Sequence, residues 1–380
     1  MLDVEDRAKL TAFVKQSPPG GPYLKRALIV LSADDGATQE MIAAELNVPI
    51  TRVRQMLRAF NREGIMLFPD SIWSMVFYAA DEPIIDMARK IIFSLTAKLE
   101  AYEPELKRET SVKAVHETRK TVRRMRTALT LFESYFEDGL LRKYRKRSRK
   151  FMRGLGRSRD VAVFHLKLED VVMQGTATDG LTDGERATLQ ELAQYWQGQQ
   201  AKIDHKVRRR LAKGKYQRLL DDLASFGCGH SGRPAPMDPW TPRKARHLAP
   251  IMIYDKLASV RALGDQIEGS SLDQLHALRI SCKELRYTLE FFEPLLGPPA
   301  AECIAAVKRI LAHLGDVNDA RVHLKMLDGI QEPAIAGSVE LYRRIVEDQL
   351  KRLRESFPAV WLEFDQQAWR EQLALAVAVL

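Results

Sequence analysis

The sequence predicts an all-α protein whose larger part is internally duplicated, preceded by a small α+β domain. Over most of residues 82–370 apolar residues recur at helical spacing, and no strand-like alternation follows residue 80. One pattern of eleven residues also occurs twice, the second time 160 positions after the first. Helical spacing predicts the fold class, and the repeated pattern predicts the duplication.

The repeated pattern begins at His116 and again at His276, and it reads His-x-x-Arg-x-x-x-(Arg/Lys)-x-x-Arg. Its offsets of 0, 3, 7 and 10 fall within an arc of roughly 80°, so each copy forms a basic stripe about 15 Å long on one helix face. The stripes are His116, Arg119, Arg123 and Arg126, and His276, Arg279, Lys283 and Arg286. A row of cations is usually a solvated helix face, but composition alone does not reproduce a four-point register twice. We therefore interpret the stripes as functional.

A second shared signature follows each stripe. The first copy has Leu-Gly-Arg-Ser-Arg-Asp ending at Asp160, and the second has Leu-Gly-Asp-Val-Asn-Asp ending at Asp319. Paired cations precede each glycine: Arg149 and Lys150 in the first copy, Lys308 and Arg309 in the second. Glycine is common after a helix and aspartate before one, so we expect each glycine to end a helix and each aspartate to start the next.

These motifs, HETRKTVRRMR with LGRSRD and HALRISCKELRY with LGDVND, resemble the CHAD domain, a family named for conserved histidines in an α-helical domain. The resemblance covers roughly residues 82–370. It implies two pseudo-symmetric helical bundles whose basic helices face a central groove or pore that binds inorganic polyphosphate. It also implies a binding module without a cofactor or metal rather than an enzyme.

The placement of charge agrees with a polyanion partner. Residues 1–80 hold nine basic and nine acidic side chains, whereas residues 107–165 hold 18 basic and 6 acidic ones. We therefore expect the polyanion-binding face in the repeated part, mainly in its first half. The candidate polyphosphate contacts are His116, Arg119, Lys120, Arg123, Arg126, Arg149, Lys150, Arg153, His276, Arg279, Lys283, Arg286, Lys308 and Arg309.

Three interpretations stay open for His116 and His276. They are neutral hydrogen-bond partners of an arginine or a ligand oxygen, buried structural residues, or phosphoacceptors or metal ligands. Ala277 stands where the first copy has Glu117, so a metal site common to both copies is not favoured. If the histidines lie in the groove, polyphosphate should bind more tightly at pH 6 than at pH 8.

Residues 1–80 differ in character. Thr38 starts one predicted helix, a second spans 51–62, and the pattern between them resembles a winged helix-turn-helix. Residues 65–68 and 72–77 are the expected wing strands. Arg52, Arg54 and Arg58 of the second helix are candidate DNA contacts. Zero net charge argues against DNA binding, and a protein-contact role stays open.

Helix signals divide the remainder into a first half (82–226), a linker rich in Gly, Pro and Ser (227–242), a second half (243–370) and an apolar tail (371–380). The predicted helices are 84–101, 111–135, 141–155, 160–173, 185–211 and 216–226, followed by 250–264, 272–294, 300–314, 319–329, 337–355 and 358–369. We expect the tail to pack on a neighbouring surface.

Several classes of protein are disfavoured. Three cysteines without metal-ligand spacing suggest reduced thiols, and charges near the start interrupt any signal-like apolar run. We expect a cytoplasmic protein, associated with polyphosphate granules. A polyphosphate phosphatase is the alternative enzyme, but no Gly-rich phosphate loop or paired carboxylates support it. Nucleic-acid binding shares the electrostatics, and competition with polyphosphate would distinguish the two.

Overall fold

A computed structural model describes residues 2–16, 24–68, 79–108, 112–137, 139–174, 180–211, 214–265 and 267–380. The chain divides into two compact units, Met1–Ala79 and Ala80–Leu380. Every regular element in these ranges is helical, which confirms the all-α prediction for the larger unit. Within the described ranges, the β-type pairings are the isolated bridges Pro83 to Lys244 and Phe136 to Pro234.

The first unit contains four α-helices in its described part: α1 (Val4–Gln16), α2 (Leu24–Asp34), α3 (Gln39–Glu45) and α4 (Ile50–Glu63). The Thr38 side chain accepts a hydrogen bond from the Met41 amide, which confirms its predicted role as the N-cap of α3. Leu10, Ile42, Val53 and Phe68 are fully or almost fully buried in the core of this unit.

The winged-helix assignment is not supported. Residues 65–68 were expected to form a wing strand, but Gly64–Leu67 is a 3₁₀ helix that follows α4 directly. Phe68 packs into the helical core, and its ring lies 6.3 Å from that of Phe60. Burial against helices therefore overrides the strand propensity of this short apolar segment. The second expected strand, 72–77, lies outside the described residues.

The second unit contains two successions of long helices. The first is α5 (Ile84–Arg108), α6 (Val112–Leu131), α7 (Leu140–Gln174), α8 (Asp183–Leu211) and α9 (Lys215–Gly227), and the second is α10 (Ala245–Gly264), α11 (Leu272–Phe292), α12 (Ala300–Leu327), α13 (Ala336–Phe364) and α14 (Gln367–Val377). Consecutive helices pack together from α5 to α8 and again from α10 to α13. This order of helices agrees with the predicted duplication but does not by itself show it.

The two successions also contact each other. Helix α6 contacts α11, α7 contacts α12, and α8 contacts α13. An aromatic cluster fills part of this junction: the Phe164 ring lies 5.1 Å from Trp196, 4.8 Å from His323 and 5.2 Å from Tyr342. All four side chains are buried, so this packed core joins α7 and α8 of the first succession to α12 and α13 of the second.

The expected helix breaks at the Leu-Gly signatures are wrong. Gly156 lies inside α7 and Gly315 inside α12, and both helices run on without interruption past Asp160 and Asp319. A glycine inside a helix costs only about 1 kcal/mol relative to alanine, which packing of these helices against two neighbours can offset. A Cβ on Gly156 would lie 3.3 Å from Nη1 of Arg119, so this glycine leaves room for a side chain of the basic stripe.

Two helices were predicted to begin at prolines, Pro250 and Pro358, and both begin earlier in the chain. Pro250 lies inside α10 and Pro358 inside α13. An internal proline costs about 3 kcal/mol, but Phe357 and Trp361 on either side of Pro358 are buried, and their packing stabilises a continuous helix. The expected break between 355 and 358 is therefore wrong.

The linker and the tail both pack on the unit. The linker contacts the first half: the Ala235 amide donates a hydrogen bond to the Tyr135 carbonyl oxygen at 2.9 Å. The predicted tail lies largely within α14, where Leu373 and Ala376 are fully buried. The Gly297 amide donates to the Ala376 carbonyl oxygen at 2.8 Å. Packing of the tail on a neighbouring surface is thus confirmed. No helix in the described ranges is long and apolar enough to cross a membrane.

Candidate anion-binding site

The two basic stripes come together where α6 meets α11. Tyr287 of α11 is buried at this junction, 3% exposed, and Arg123 of α6 lies within interaction range of its hydroxyl. The Arg286 guanidinium lies 4.6 Å from the centre of the Tyr287 ring. Glu290 joins the helices further along, with an oxygen 3.5 Å from Arg124 and another 3.6 Å from Arg286. The stripes, far apart in sequence, are therefore neighbours in space.

Arg159 of α7 completes the cluster, and sequence reasoning missed it. Burial is the main cause of the lowered pKa of Arg123, Arg279 and Lys283, and Arg159 lies close enough to each of them for its charge to add to this shift. We call Arg119, Arg123, Arg159, Arg279, Lys283 and Arg286 the central cluster. The signal was present: once α7 is continuous, Arg149, Gly156 and Arg159 are spaced to share one helix face. The expected helix break concealed it.

Two aspartates neutralise part of this charge. Asp319 accepts a hydrogen bond from Nη1 of Arg159 at 3.4 Å, and Asp160 lies 3.7 Å from the same nitrogen. Asp160 also lies 3.8 Å from Nη2 of Arg119. These aspartates were expected as helix N-caps. They lie instead inside continuous helices, where they are counter-ions of the central cluster.

Burial and mutual repulsion disturb the titration of the cluster. Burial, aided by repulsion from Arg279, Arg123, Arg286 and Arg159, lowers the pKa of Lys283 to about 6. Burial likewise lowers the pKa of Arg119 to about 10, although Asp160 acts against the shift. Crowded cations with few counter-charges are unfavourable, and an anion that entered the cluster would relieve the repulsion.

Hydrogen-bond donors in the stripes also lack acceptors. The Nε atoms of Arg119, Arg123, Arg126, Arg279 and Arg286 are buried and donate to no acceptor among the described residues. Buried polar groups are normally paired, and each unpaired donor costs about 1–3 kcal/mol. An arrangement of this kind is typical of a site whose partner is a ligand or solvent.

The two histidines lie at the more exposed end of the stripes. The His116 side chain is 53% exposed, with Nε2 3.9 Å from Glu117. Nδ1 of His276 is 3.0 Å from Oδ1 of Asn318, and this histidine is also exposed. Their exposure contradicts the buried structural interpretation. Partial desolvation nevertheless lowers the pKa of both, and neighbouring cations add to the shift.

The remaining predicted polyphosphate contacts form two groups, and those of the first group lie near the stripes. Arg126 and Arg149 are close enough for Arg149 to lower the pKa of Arg126, after the larger effect of burial. Lys120 lies beside the first stripe, with Nζ 3.4 Å from Glu117. These residues extend the positive surface of the central cluster.

Four other candidates are not brought to the cluster. Lys150 and Arg153 line a separate cavity beside α9. Arg309 lies 3.7 Å from Glu363 of α13, and Lys308 is exposed next to it. No hydrogen bond or ion pair among the described residues links either pair to the central cluster.

In the first unit, Arg52 and Arg58 are exposed on α4. Arg54 is engaged within the unit: its Nε donates to Oε1 of Gln39 at 3.1 Å, and its Nη2 lies 3.7 Å from Glu40. All three arginines proposed for DNA are therefore accessible, although Arg54 also has partners within the unit. Their role stays a prediction.

The fold and site define a class of protein: an all-helical domain in which two basic helices meet at a partly buried cationic cluster. Within that class, the chain belongs to the CHAD domain family, whose sequence profile matches residues 90–328. The profile spans both stripes and both Leu-Gly signatures. The family assignment that the motifs suggested is thus confirmed.

Two solved structures share this fold. The crystal structure of the CHAD domain from the plant Ricinus communis has a TM-score of 0.61 and 20% identity, and the match covers 75% of this chain and 93% of that one. PptA from Streptomyces chartreusis has a TM-score of 0.52 and 16% identity, covering 74% of this chain and 100% of that one. No curated protein matches this chain. At these identities the likeness concerns the fold alone.

Proposed function

We propose that the central cluster binds inorganic polyphosphate, without catalysis, between the two basic helices. The observation that supports this most directly is the convergence of six basic side chains from α6, α7 and α11 on a site with few carboxylates. The CHAD family is associated with polyphosphate binding, which favours the same ligand. Arginine suits this task because its planar fork donates two hydrogen bonds to phosphate oxygens and is weakly hydrated.

The shape of the cationic surface favours a linear anion over a single phosphate. Each stripe is about 15 Å long. Arg126, at the end of the first stripe, lies near Arg149, and the two extend the row of cations beyond the central cluster. Regular phosphates along a chain could meet cations at several points of this row. Each neutralised phosphate releases counter-ions, so affinity should fall steeply as salt concentration rises.

Nucleic acid is less well matched to the cluster. Non-specific binding of single strands uses accessible aromatic faces on which bases stack. Tyr287, the aromatic residue at the junction, is buried and already covered by Arg286. Polyphosphate has no bases, so it needs no aromatic surface on which to stack. DNA binding through Arg52 and Arg58 in the first unit remains a separate prediction.

Hydrolysis of polyphosphate is also less well supported. Metal-assisted phosphoryl transfer needs carboxylates that are available to hold a cation. Asp160 and Asp319 are instead engaged with Arg159. In the described ranges, no three His, Cys, Asp or Glu side chains form a group that could hold a metal. Incubation with polyphosphate and Mg²⁺ should release no phosphate above a no-protein control, and steady release would favour the enzyme.

The test is a titration of long-chain polyphosphate into the full chain and two variants. The site variant is Arg119→Gln/Arg123→Gln/Arg279→Gln/Lys283→Gln. The control replaces the same number of basic side chains, all of them exposed lysines elsewhere: Lys143→Gln/Lys146→Gln/Lys202→Gln/Lys206→Gln. We expect at least a hundredfold loss of affinity in the site variant, with helical content retained, and a smaller loss in the control. Equal losses would mean that diffuse surface charge explains binding, and the proposal would fail.

A further inference from the structure

A second cavity lies on the other side of α7, away from the central cluster. It has a volume of about 820 Å³ and lies between α7, α8 and α9. Its volume falls within the range of small-molecule sites, about 300–1,000 Å³. Arg149 and Arg159 of α7 lie toward the stripes, whereas Lys150 and Phe151 line this cavity. One helix therefore separates two positively charged regions.

The floor of the cavity is apolar. Leu155, Val207, Leu211 and Leu219 line it, and each is at most 4% exposed. The Phe151 ring stacks on Tyr216, another lining residue, at 4.1 Å and 8° between planes. The polar group of Tyr216 is already paired, since its hydroxyl donates a hydrogen bond to the Leu99 carbonyl oxygen at 3.3 Å.

The rim of the cavity is cationic. Lys150, Arg153, Lys215 and Arg218 are all exposed lining residues. Within the described part of the chain, none of the four forms an ion pair or a side-chain hydrogen bond. Two carboxylates also line the cavity: Asp222 pairs with Arg147, a further lining residue, and Asp221 accepts a hydrogen bond from Gln217 at 3.1 Å. Counting Arg147, the lining has five basic and two acidic side chains, so the rim carries a surplus of three positive charges.

We propose that this cavity is a second ligand site, for an amphipathic anion with an alkyl or aryl body and a phosphate, sulfate or carboxylate head. The body would displace water from the apolar floor, and the head would meet the rim cations. A nucleotide fits less well, because its base would leave ring nitrogens and amino groups unpaired against the floor. Polyphosphate fits less well, because it would leave the floor uncovered. The site is independent of polyphosphate binding at the central cluster.

The test uses decyl phosphate as the probe, titrated into the full chain by calorimetry below its micelle concentration. Octyl phosphate measures the contribution of the body, and inorganic phosphate measures that of the head alone. The rim variant is Lys150→Gln/Arg153→Gln/Lys215→Gln/Arg218→Gln. The matched control is Lys143→Gln/Lys146→Gln/Lys202→Gln/Lys206→Gln, which alters exposed lysines that do not line the cavity. All substituted residues are exposed, so folding should be preserved.

We expect one saturable site for decyl phosphate, weakened at least tenfold in the rim variant and less than twofold in the control. Octyl phosphate lacks two methylenes and should bind roughly fifteenfold more weakly, since each fully buried methylene contributes a factor of about four. Saturating polyphosphate should leave the affinity unchanged. Three results would each overturn the proposal: no saturable binding, equal weakening in both variants, or displacement of the probe by polyphosphate.

Discussion

Lys283 should take up a proton when polyphosphate binds. Burial and the surrounding arginines lower its pKa to about 6 in the empty site. At pH 8 only about 1% of the molecules then carry a charged Lys283, and at pH 7 about 10%. A polyanion favours the charged form and raises this pKa again. Binding at pH 8 should therefore draw about one proton from solution.

The sign of the pH dependence follows directly. Above pH 6 the lysine must be protonated at a cost of about 1.4 kcal/mol per pH unit, or about 2.7 kcal/mol at pH 8. Affinity should therefore increase as pH falls, by up to tenfold per unit, and level off below about pH 6. Replacing Lys283 by arginine keeps the charge and should remove most of this dependence, because arginine remains protonated throughout.

Calorimetry measures the effect. Polyphosphate is titrated at pH 8 into wild type and Lys283→Arg in buffers of different ionisation enthalpy, and the slope of heat against that enthalpy counts the protons. We expect about one proton fewer for the variant. His116 and His276 contribute equally to both proteins, so the difference isolates Lys283. Lys143→Arg, on an exposed face of α7, is the control and should behave as wild type. Equal uptake by wild type and Lys283→Arg would refute the reasoning.

Three further predictions concern the same region. Lys283→Met should raise the free energy of unfolding by about 1–3 kcal/mol at pH 7; because the folded pKa is lowered, the gain should grow as pH falls from about 10.5 to 6, and chemical denaturation at several pH values would show whether it does. Asp319→Asn should raise polyphosphate affinity about threefold to tenfold in a titration, because it frees Arg159 from its counter-ion, and an unchanged or weaker affinity would count against this assignment. Gly156→Ala should weaken polyphosphate severalfold by displacing Arg119, whereas Gly315→Ala, whose Cβ would meet nothing within 4 Å, should leave affinity unchanged and stabilise α12 by about 0.5–1 kcal/mol; identical effects of the two changes would contradict the contact with Arg119.

Both stripes could be predicted from the sequence because helical periodicity depends only on local spacing. Offsets of three, four and seven place His276, Arg279 and Lys283 on one face whatever the helix packs against. The duplication of that register also led to the family, which the match over residues 90–328 confirms. The capping role of Thr38 was predictable for the same reason, since it depends on neighbouring residues only.

Helix ends were harder to predict, because they depend on what the helix packs against. Gly156 and Pro358 are helix-breaking residues by propensity, yet α7 and α13 continue through them. Each of these residues destabilises a helix by about 1–3 kcal/mol, and the packing of buried neighbours on adjacent helices offsets this loss. The segment 65–68 failed as a strand for a related reason, since its apolar residue Phe68 is covered by helices.

By itself, the sequence determined the helical class, the two stripes and the family. Only the tertiary structure decided that the stripes adjoin, that Arg159 joins them, and that Lys150 and Arg153 line a different cavity. It also decided the low pKa of Lys283, because burial and the proximity of charges from another helix have no trace in the residues beside it. Periodicity fixes which residues share a face of one helix, whereas packing between distant helices fixes which faces meet.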